Sequence, residues 1–431
     1  MLASPRPFLL VCPDYRIQSR SIVQTIVTNA TFLVGPDLTP QHGSMAIVDG
    51  RITAIGPEVR ADPGALVHDL EGATVLPGLM DAHCHLVYRD VADPYDIELR
   101  KSVPQATVDA VYNAQDLLRQ GFTTVRDVGS RANIGVEVRN AIRRGDVPGP
   151  QVHAAGQIVS APGGLGDFQP SHIHEGAVYA SGLAVLVVGP HEARAVVRRQ
   201  LKDGADWIKV GVSGTGFNPL CPAERSGLSA EEFDAVVDEA RRQHVPVAAH
   251  AESEDAVRSA ARAGVATIEH AIFLADDALE DIVAKGVTIS PTLSMYRAFA
   301  EHGLELGIPQ VIVDEHKRTH EHHVRSIAKA VAAGVPIVAG GDAGLTHFPQ
   351  GACAREAATY VELVGMSPRE ALKTLTVNIA RLLGVIDDVG TLDVGKVADL
   401  VAFRGDPLDD VTTVADPAAR VLVMRAGEVV R

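Results

Sequence analysis

The stretch TVLPGLMDAHCH, residues 74–85, places an apolar run directly before two histidines that are two positions apart. We interpret Thr74–His85 as a β-strand, in which residues i and i+2 point to the same face. His83 and His85 can therefore present two imidazoles to one ion, and imidazole suits zinc and its neighbours. Two alternating histidines can also be plain polar surface, so this pair needs support from elsewhere in the chain.

Strand-like apolar runs follow this stretch and alternate with amphipathic helical segments such as EDAVRSAARAG at 254–264. That alternation predicts parallel strands joined by crossover helices. Eight such units suit a closed barrel, so the predicted fold class is α/β, a (β/α)8 TIM-type barrel. The further predicted strands are Thr123–Val128, Gln151–Ser160, Trp207–Gly214, Val245–His250, Ala266–Ala271, Thr288–Leu293 and Pro336–Asp342.

The segments near the two ends of the chain have a different sequence pattern from the central part. Short apolar runs broken by turn residues fill residues 25–75, and the segments TLDVGKVADLVAFRG at 391–405 and ARVLVMRAGEVVR at 419–431 look the same. Such runs predict β-strands joined by hairpins. The two ends could pair into one small sheet domain, or they could form two unrelated peripheral hairpins.

Polar residues occupy the last positions of several predicted barrel strands. Active sites in such barrels lie at the carboxyl ends of the strands. The segment VPVAAH ends at His250, and the segment ATIEH ends at His270. One such histidine is more often a buried or rim residue than a ligand. Two in consecutive units, added to His83 and His85, argue against coincidence.

Lys209 in DWIKVGVSG is flanked by apolar residues and would be costly to bury as an ammonium ion. Burial lowers the pKa of a lysine, and the neutral amine can react with carbon dioxide to give a carbamate able to bridge two metal ions. Residue chemistry alone favours the alternative, a lysine whose stem packs while its charge reaches water or a carboxylate.

Asp342 ends the apolar run in PIVAGGDAG, where the glycines would let substrate or metal approach the backbone. Its carboxylate can act as a general base and then as a general acid, or it can simply cap the next helix. Together, four histidines, one lysine and one carboxylate form the set that a two-metal hydrolytic site needs. Two ions about 3.5–4 Å apart would activate a bridging hydroxide and polarise the scissile carbonyl.

From about Thr25 onward the chain resembles the amidohydrolase superfamily, and most of all its imidazolonepropionase-like and Xaa-Pro dipeptidase-like branch, which includes hydrolases of N-acyl amino acids. The segments that carry the resemblance occur in the family's order: LPGLMDAHCH, WIKV, VAAHAE, IEHA, GGDAG and TLDVGKVADLVAF. The resemblance implies a barrel domain at 78–389, a small β-sandwich domain from 25–77 and 390–431, and an N-terminal extension at 1–24.

The resemblance also implies two divalent metal ions, expected to be Zn²⁺, and an N6-carboxylysine at Lys209 that bridges them, which reverses the interpretation that Lys209 receives on its own. Asp342, Lys209 and His270 are the implied catalytic residues, with Asp342 carrying the proton. The implied ligands are His83, His85 and Asp342 for the more buried ion, His250 and His270 for the outer one, and Lys209 for both.

Two departures from the family bear on substrate choice. Relatives often carry a Gly-Gly-His-Gly-type turn where this chain has Leu165, and they commonly have threonine where it has Gly341. Both changes alter the expected shape and polarity of the pocket. The candidate substrate-binding residues are His153, Arg225, Tyr296 and His347, each of which could equally be a plain loop residue. A further cluster, His316, His320, His322 and His323, could be a second metal site, but a solvated helix face is the favoured interpretation.

Composition excludes several classes of function. The net charge of −15 and the absence of a basic run argue against a nucleic-acid partner. No apolar run approaches the roughly 20 residues of a membrane-spanning helix, and the four cysteines form no CxxC pair. We expect a cytoplasmic homo-oligomer that acts on a small amide molecule and has no membrane partner.

The predicted function is that of a binuclear metal-dependent amidohydrolase that cleaves the C–N bond of an N-acyl or peptidyl amino acid or of a related xenobiotic amide. A metal-dependent deaminase and a hydrolase of cyclic amides, carbamates or ureas are alternatives within enzymes. Such deaminases do without a carboxylated lysine. A binding protein that kept the barrel and lost turnover is the alternative from another class.

Overall fold

The computed structural model describes residues 24–168, 182–346 and 348–430, so the predicted extension at 1–24 lies outside the described residues except for Gln24. The strands are β1 (Thr25–Val34), β2 (Thr39–Val48), β3 (Arg51–Gly56), β4 (Leu66–Asp69), β5 (Thr74–Pro77), β6 (Leu79–Cys84), β7 (Phe122–Asp127), β8 (Gln151–Ala154), β9 (Ile158–Ser160), β10 (Ala184–Leu186), β11 (Ile208–Gly211), β12 (Val247–Ala251), β13 (Thr267–His270), β14 (Thr288–Ser290), β15 (Leu400–Phe403), β16 (Arg420–Arg425) and β17 (Glu428–Val429).

Helices alternate with the strands in the central part of the chain. They are α1 (Pro94–Glu98), α2 (Val103–Arg119), α3 (Ile134–Arg144), α4 (Pro190–Lys202), α5 (Ala230–Arg242), α6 (Glu254–Ala263), α7 (Asp276–Lys285), α8 (Leu293–His302), α9 (Gln310–Ala332), α10 (Arg355–Val364), α11 (Pro368–Thr374) and α12 (Val377–Leu382). Helix α5 begins with a capping box between Ser229 and Glu232, and α6 ends at Gly264 with φ +65°. Every helix of the described residues is too short or too polar to cross a bilayer.

Segments from both ends of the chain form one sheet, as their similar sequence patterns predict. The strand order is β17-β16-β15-β5-β1-β2-β3, with β4 beside β1. The seam between the two ends is the antiparallel pair β5–β15, in which Leu76 lies opposite Val401. Apolar side chains from both ends, among them Phe32, Val75 and Leu400, pack into one cluster. The prediction of a small β domain formed by the N- and C-terminal segments is confirmed.

Parallel strands form the body of the molecule, in two sheets of order β6-β7-β8 and β10-β9-β11-β12-β13-β14. Backbone hydrogen bonds link the two sheets on both sides. On one side the amide of Asp206, just before β11, donates to the carbonyl of Ala154 in β8. On the other side residues 336–339 bond to Ile289 of β14 and to Ala82 of β6. The predicted TIM-type α/β fold is confirmed, and residues 336–339 take the place of the eighth strand.

The third barrel unit differs from its prediction. The sequence favours one strand over Gln151–Ser160, whereas the chain breaks into β8 and β9 around Gly156, whose φ of +71° interrupts extended backbone. A further short strand, β10, pairs in parallel with β9 and was not predicted. Its three residues are too few to give a periodic signal.

Candidate metal centre

The predicted metal ligands come together at the carboxyl ends of the parallel strands. There they line one cleft. This convergence follows from topology, because the carboxyl ends of neighbouring parallel strands meet at the same edge. The predicted ligands that line the cleft are His83, His85, Lys209, His250, His270 and Asp342.

One group of donor atoms consists of His83, His85 and Asp342. Oδ1 of Asp342 lies 3.5 Å from Nε2 of His85 and 3.8 Å from Nε2 of His83. One donor atom from each residue lies within 4.8 Å of the other two. Neutral imidazoles and a carboxylate at this spacing suit a divalent cation of the zinc type.

Hydrogen bonds fix which ring nitrogen each of these histidines offers. Nδ1 of His85 lies 2.7 Å from the carbonyl oxygen of Gly129, which can only accept, so Nδ1 carries the proton. Nδ1 of His83 lies 2.7 Å from Oε2 of Glu269 and donates in the same way. Burial lowers the pKa of His85 to about 3 and lowers that of His83 well below its usual value. Both rings are therefore neutral and keep a free Nε2 lone pair on the side of Asp342.

A second group consists of His250, Glu252 and His270, again with one donor atom from each within 4.8 Å of the others. Nε2 of His250 donates to the carbonyl oxygen of Gly214 at 2.8 Å, which leaves Nδ1 free. The hydroxyl of Thr292 donates to the carbonyl of Pro291 at 2.6 Å and must therefore accept from Nδ1 of His270 at 2.7 Å. His270 is left with a free Nε2.

Glu252 is the member of this group that sequence reasoning missed. It follows His250 by two positions in VAAHAE and is fully buried, where the cost of desolvation raises its pKa to about 8. Its Oε1 accepts from the hydroxyl of Tyr296 at 2.6 Å, and its Oε2 accepts from the amide of Gly216 at 3.1 Å. The spacing of two that drew attention to His83 and His85 was also present here.

Lys209 extends into the interior of the barrel from β11. In the β11–β12 register Lys209 pairs with Ala248 and Gly211 pairs with His250, so the side chains of Lys209 and His250 share a face. Burial lowers the pKa of Lys209 to about 8, although the carboxylates of Glu269 and Asp342 oppose the shift. A neutral amine is therefore accessible near neutral pH, which is what addition of carbon dioxide requires.

Four residues at or just after strand ends hold backbone conformations that are uncommon for any residue except glycine. They are His270 with φ +74°, Ala271 with φ +55°, Thr292 with φ +56° and Asp342 with φ +45°. Such left-handed positions persist only where the surroundings hold them, and they cluster at functional sites. At Asp342 the backbone amide is held by the carbonyl of His83 at 2.7 Å.

Two glycines of GGDAG, Gly340 and Gly341, pack closely against neighbouring side chains. A Cβ on Gly340 would lie 2.5 Å from Cβ of His83, and one on Gly341 would lie 2.9 Å from Oδ2 of Asp81 and 3.1 Å from Cβ of Cys353. Asp81 in turn accepts from the amides of His83 and Gly341 at 2.9 and 3.0 Å. A threonine at position 341 would therefore need Cys353 and Asp81 to move.

Behind His83 lies a buried ion pair. Glu269 accepts from His83 through one oxygen and from Arg126 through the other, at 2.7 and 2.8 Å. Arg126 is fully buried, donates to the carbonyl of Ala82 at 2.6 Å and stacks on Trp207. Burial alone would raise the pKa of Glu269, but Arg126 and Lys209 hold it below its usual value. The charged carboxylate thus fixes the ring of His83, and it would make that ring a stronger ligand for a cation.

We predict that Glu269→Gln lowers the affinity for a divalent metal about tenfold to 100-fold. We also expect a loss of about 3 kcal/mol in the free energy of unfolding, because the buried charge of Arg126 loses its partner. Competition with a chelator measures the first effect and urea unfolding measures the second. Glu362→Gln is the matched control, since it breaks an exposed pair with Arg297. Equal metal affinity in the two variants would show that Glu269 does not support the ligand.

The predicted substrate-binding residues separate in the structure. Tyr296 lines the cleft, whereas His153 and Arg225 lie outside its lining. Nε2 of His153 lies 3.3 Å from the side-chain nitrogen Nε2 of Gln151, and Arg225 is an exposed loop residue that donates to the carbonyl of Leu220 at 2.7 Å. His347 lies outside the described residues.

The histidine cluster of α9 corrects the expectation of a solvated helix face. His316 and His323 are buried, His320 is half-buried and only His322 is exposed. His316 lines the cleft, and Nε2 of His323 donates to the carbonyl oxygen of His270 at 2.9 Å. The inward-facing pair is seven residues apart, two helical turns, so it lies on one stripe of the helix. The seven-residue spacing of His316 and His323 was not recognised, because two further histidines lie between them in the sequence.

Away from the donor groups the cleft is mostly apolar. Leu165 lies in its wall, where the resemblance leads one to expect a polar group. Among the described lining residues the one lysine or arginine is Lys209. The other apolar lining residues are Ile158, Phe168, Leu183, Phe217, Met295 and Leu345.

A barrel of this type with imidazoles and carboxylates gathered at its strand ends defines the class of metal-dependent hydrolases. Comparison with known proteins agrees. The family model for the amidohydrolase family matches residues 74–430. The chain therefore belongs to the amidohydrolase family, and it is a hydrolase that acts on C–N bonds.

Named relatives span nearly the whole chain. It is 26% identical to ochratoxinase of Aspergillus niger over 429 residues, which covers 96% of this chain and 88% of the relative. It is 24% identical to imidazolonepropionase of Deinococcus deserti, with 90% of this chain and 95% of the relative covered. A crystal structure of a prolidase complexed with N-methylphosphonate-L-proline shares 28% identity at a TM-score of 0.86, covering 94% of this chain and 99% of that one.

Proposed function

We propose that this protein is a binuclear amidohydrolase that cleaves the amide bond of an N-acyl or peptidyl amino acid, including xenobiotic amides built on an amino acid. The observation that carries the proposal is the pair of three-residue donor groups, His83–His85–Asp342 and His250–Glu252–His270, of which all members except Glu252 line one cleft. Each group leaves free lone pairs on its histidines, and Lys209 lines the same cleft. The two groups would supply separate sets of ligands for two cations.

In this proposal His83, His85 and Asp342 would hold one ion, and His250 and His270 would hold the other. Lys209, if carboxylated on Nζ, would serve both. Zinc is the metal that this set of imidazole and oxygen ligands favours. When bound, the cations polarise the scissile carbonyl and make water nucleophilic at neutral pH.

Asp342 carries the proton in this proposal. Burial raises its pKa to about 6 in the metal-free protein, although the charge of Lys209 opposes that shift. A carboxylate beside the reacting water can accept a proton and then release it. Its side chain is 17% exposed and faces the cleft. It would take a proton from the attacking water and deliver it to the leaving nitrogen.

The substrate class rests on the relatives and on the wall of the cleft. Relatives called ochratoxinase, prolidase and Xaa-Pro dipeptidase support an amide formed with an amino acid. The apolar wall around Leu165 and Phe168 favours an apolar acyl or side-chain group on the substrate.

We expect Leu165→Ala to raise KM for an amide with an aromatic acyl group about tenfold, with little change in kcat, because it removes apolar contact from the wall. Steady-state hydrolysis of N-benzoyl-L-phenylalanine measures the effect. Leu220→Ala is the matched control, since Leu220 is 70% exposed and lies outside the lining. An unchanged KM in Leu165→Ala would place the acyl group elsewhere.

The test of the proposed function combines metal content with a substrate panel. The purified chain is loaded with zinc, its bound metal is counted by elemental analysis, and hydrolysis of dipeptides and N-acyl amino acids is followed by release of the free amino acid. We expect two metal ions per chain, and we expect activity that a chelator removes and zinc restores. A single bound ion together with deamination of an aromatic amidine would favour a deaminase, and no metal-dependent turnover would refute the proposal.

A further inference from the structure

His316 of α9 stands in the wall of the cleft, away from the two donor groups. It is 1% exposed and lies between the rings of Tyr296 and Phe299, whose centroids are 4.9 and 5.1 Å from its own. The ring of Tyr296 lies 5.6 Å from that of His270. His316 is therefore one aromatic ring removed from the donor atoms, a suitable distance for contacting the body of a substrate.

The hydrogen bonds of His316 determine its chemical state. Nδ1 lies 2.8 Å from the carbonyl oxygen of Ile312, one helical turn earlier, and a carbonyl can only accept, so Nδ1 carries the proton. Burial lowers the pKa of His316 to about 4, so the ring is neutral near neutral pH. Nε2 is then an acceptor with a free lone pair.

Nothing among the described residues serves that acceptor. Nε2 of His316 is buried and has no hydrogen-bond partner there. The neighbouring donors are engaged elsewhere, since the hydroxyl of Tyr296 donates to Glu252 at 2.6 Å. Gly216 faces the ring without a side chain, and a Cβ on it would meet Cε1 of His316 at 3.4 Å. An unpaired buried acceptor at the wall of a cleft calls for an explanation.

His323, two helical turns further along α9, makes the contrast clear. It is also buried and also has an unpaired ring nitrogen, Nδ1, but it lies outside the lining of the cleft, and its Nε2 donates to the carbonyl oxygen of His270 and so holds the backbone of the site. His316 makes no such contact with the strands. Its Nδ1 is bonded within its own helix, and the opposite edge of its ring is left for something that enters the cleft.

We propose that Nε2 of His316 accepts a hydrogen bond from an N–H group on the acyl side of the substrate. This inference rests on the proposed function and narrows it to amides that carry such a donor. Two sources share this chemistry: the α-ammonium group of a dipeptide, and the amide N–H of an acylated dipeptide. His316 acts in specificity, and the proton of the reaction stays with Asp342.

We use three probe substrates that differ only in the group attached to the α-carbon of the acyl part. L-Alanyl-L-phenylalanine carries an ammonium group, N-acetyl-L-alanyl-L-phenylalanine carries an amide N–H, and isobutyryl-L-phenylalanine carries a methyl group where the others have nitrogen. We expect the wild type to prefer at least one N–H probe over the isobutyryl probe by about tenfold in kcat/KM, the value of one hydrogen bond. Preference for the first or second probe identifies the source of the donor.

His316→Phe keeps the aromatic ring and removes the acceptor, and we expect it to bring that ratio to about one. His316→Gln restores an acceptor and should recover part of the preference. His320→Phe is the matched control, because His320 lies one turn away on the same helix and outside the lining, and it should keep the wild-type ratio. Metal content is measured for every variant.

Binding is measured in parallel by calorimetry on Asp342→Asn and on Asp342→Asn/His316→Phe, which separates this inference from the proposed function. A tenfold preference in affinity that disappears with His316→Phe supports the inference even if no probe is hydrolysed, and then only the proposed function fails. Equal affinity for the three probes, or binding of none of them, overturns the inference. An equal loss for all three in His316→Phe also overturns it, since that is the result of a purely structural role.

Discussion

Asp342→Asn is expected to lower kcat by at least about 10³-fold while zinc stays bound. The amide keeps the shape of the carboxylate and one oxygen for a ligand, so the geometry beside His83 and His85 is preserved. It cannot take up a proton near neutral pH, however, and the attacking water and the leaving nitrogen lose their proton carrier. Stopped assays over long incubations, together with elemental analysis of the same sample, measure both quantities.

Asp167→Asn is the control for that experiment. Asp167 lies in the loop beside the cleft, where its carboxylate accepts from the amide of Gly163 at 2.8 Å, and it is absent from the lining. We expect it to keep near-normal turnover. If Asp342→Asn kept a rate within about tenfold of the wild type, another group would have to carry the proton.

Lys209→Ala is expected to lose bound metal almost completely, and with it all turnover. The substitution removes the proposed bridge and leaves the side of the site nearest β11 without an oxygen ligand. A short carboxylic acid such as formate or acetate can fill the space and supply two oxygens, so metal content and activity should return as its concentration rises. Elemental analysis after gel filtration, with and without the acid, measures the effect.

Lys209→Met separates loss of the bridge from loss of packing. Methionine fills most of the volume of the lysine stem, so this variant should fold and should lose metal even in the presence of the acid. Growth in ¹³C-labelled carbon dioxide gives an independent readout, because a carbamate on Lys209 would show a labelled carbonyl signal by NMR. Full metal occupancy in Lys209→Ala without added acid would rule out the bridge.

Much of the fold could be predicted from periodicity. Runs such as Val245–His250 and Ala266–Ala271 differ from the observed β12 and β13 by only one or two residues at each end, because parallel barrel strands are continuous apolar runs with polar ends. The prediction of a single strand in the third barrel unit was wrong for a physical reason. Gly156 turns the chain inside an apolar segment, and a single glycine cannot be distinguished by pattern from one that simply packs closely.

Some residues of the candidate site could also be predicted from the sequence, and others could not. His83 and His85 could be singled out because a spacing of two on a strand has one geometric meaning. The same spacing of two, between His250 and Glu252, could have singled out Glu252 as well. His316 could not be singled out, since its position depends on how α8, α9 and the loop around Gly216 pack over the strand ends. Periodicity places a residue on a face of its own element, whereas long-range packing decides which faces meet.

The seam between β5 and β15 has a consequence for how the protein is made. Val75 and Leu76 are fully buried in the finished sheet, yet their partners Val401 and Ala402 are synthesised more than three hundred residues later. At ribosomal rates that interval is on the order of tens of seconds. Throughout it the nascent chain presents an unpaired apolar strand edge, a natural contact point for chaperones and for aggregation. Docking of β15 onto β5 would then be among the last steps of folding, and it brings the two halves of the β domain together only after the barrel sequence between them has left the ribosome.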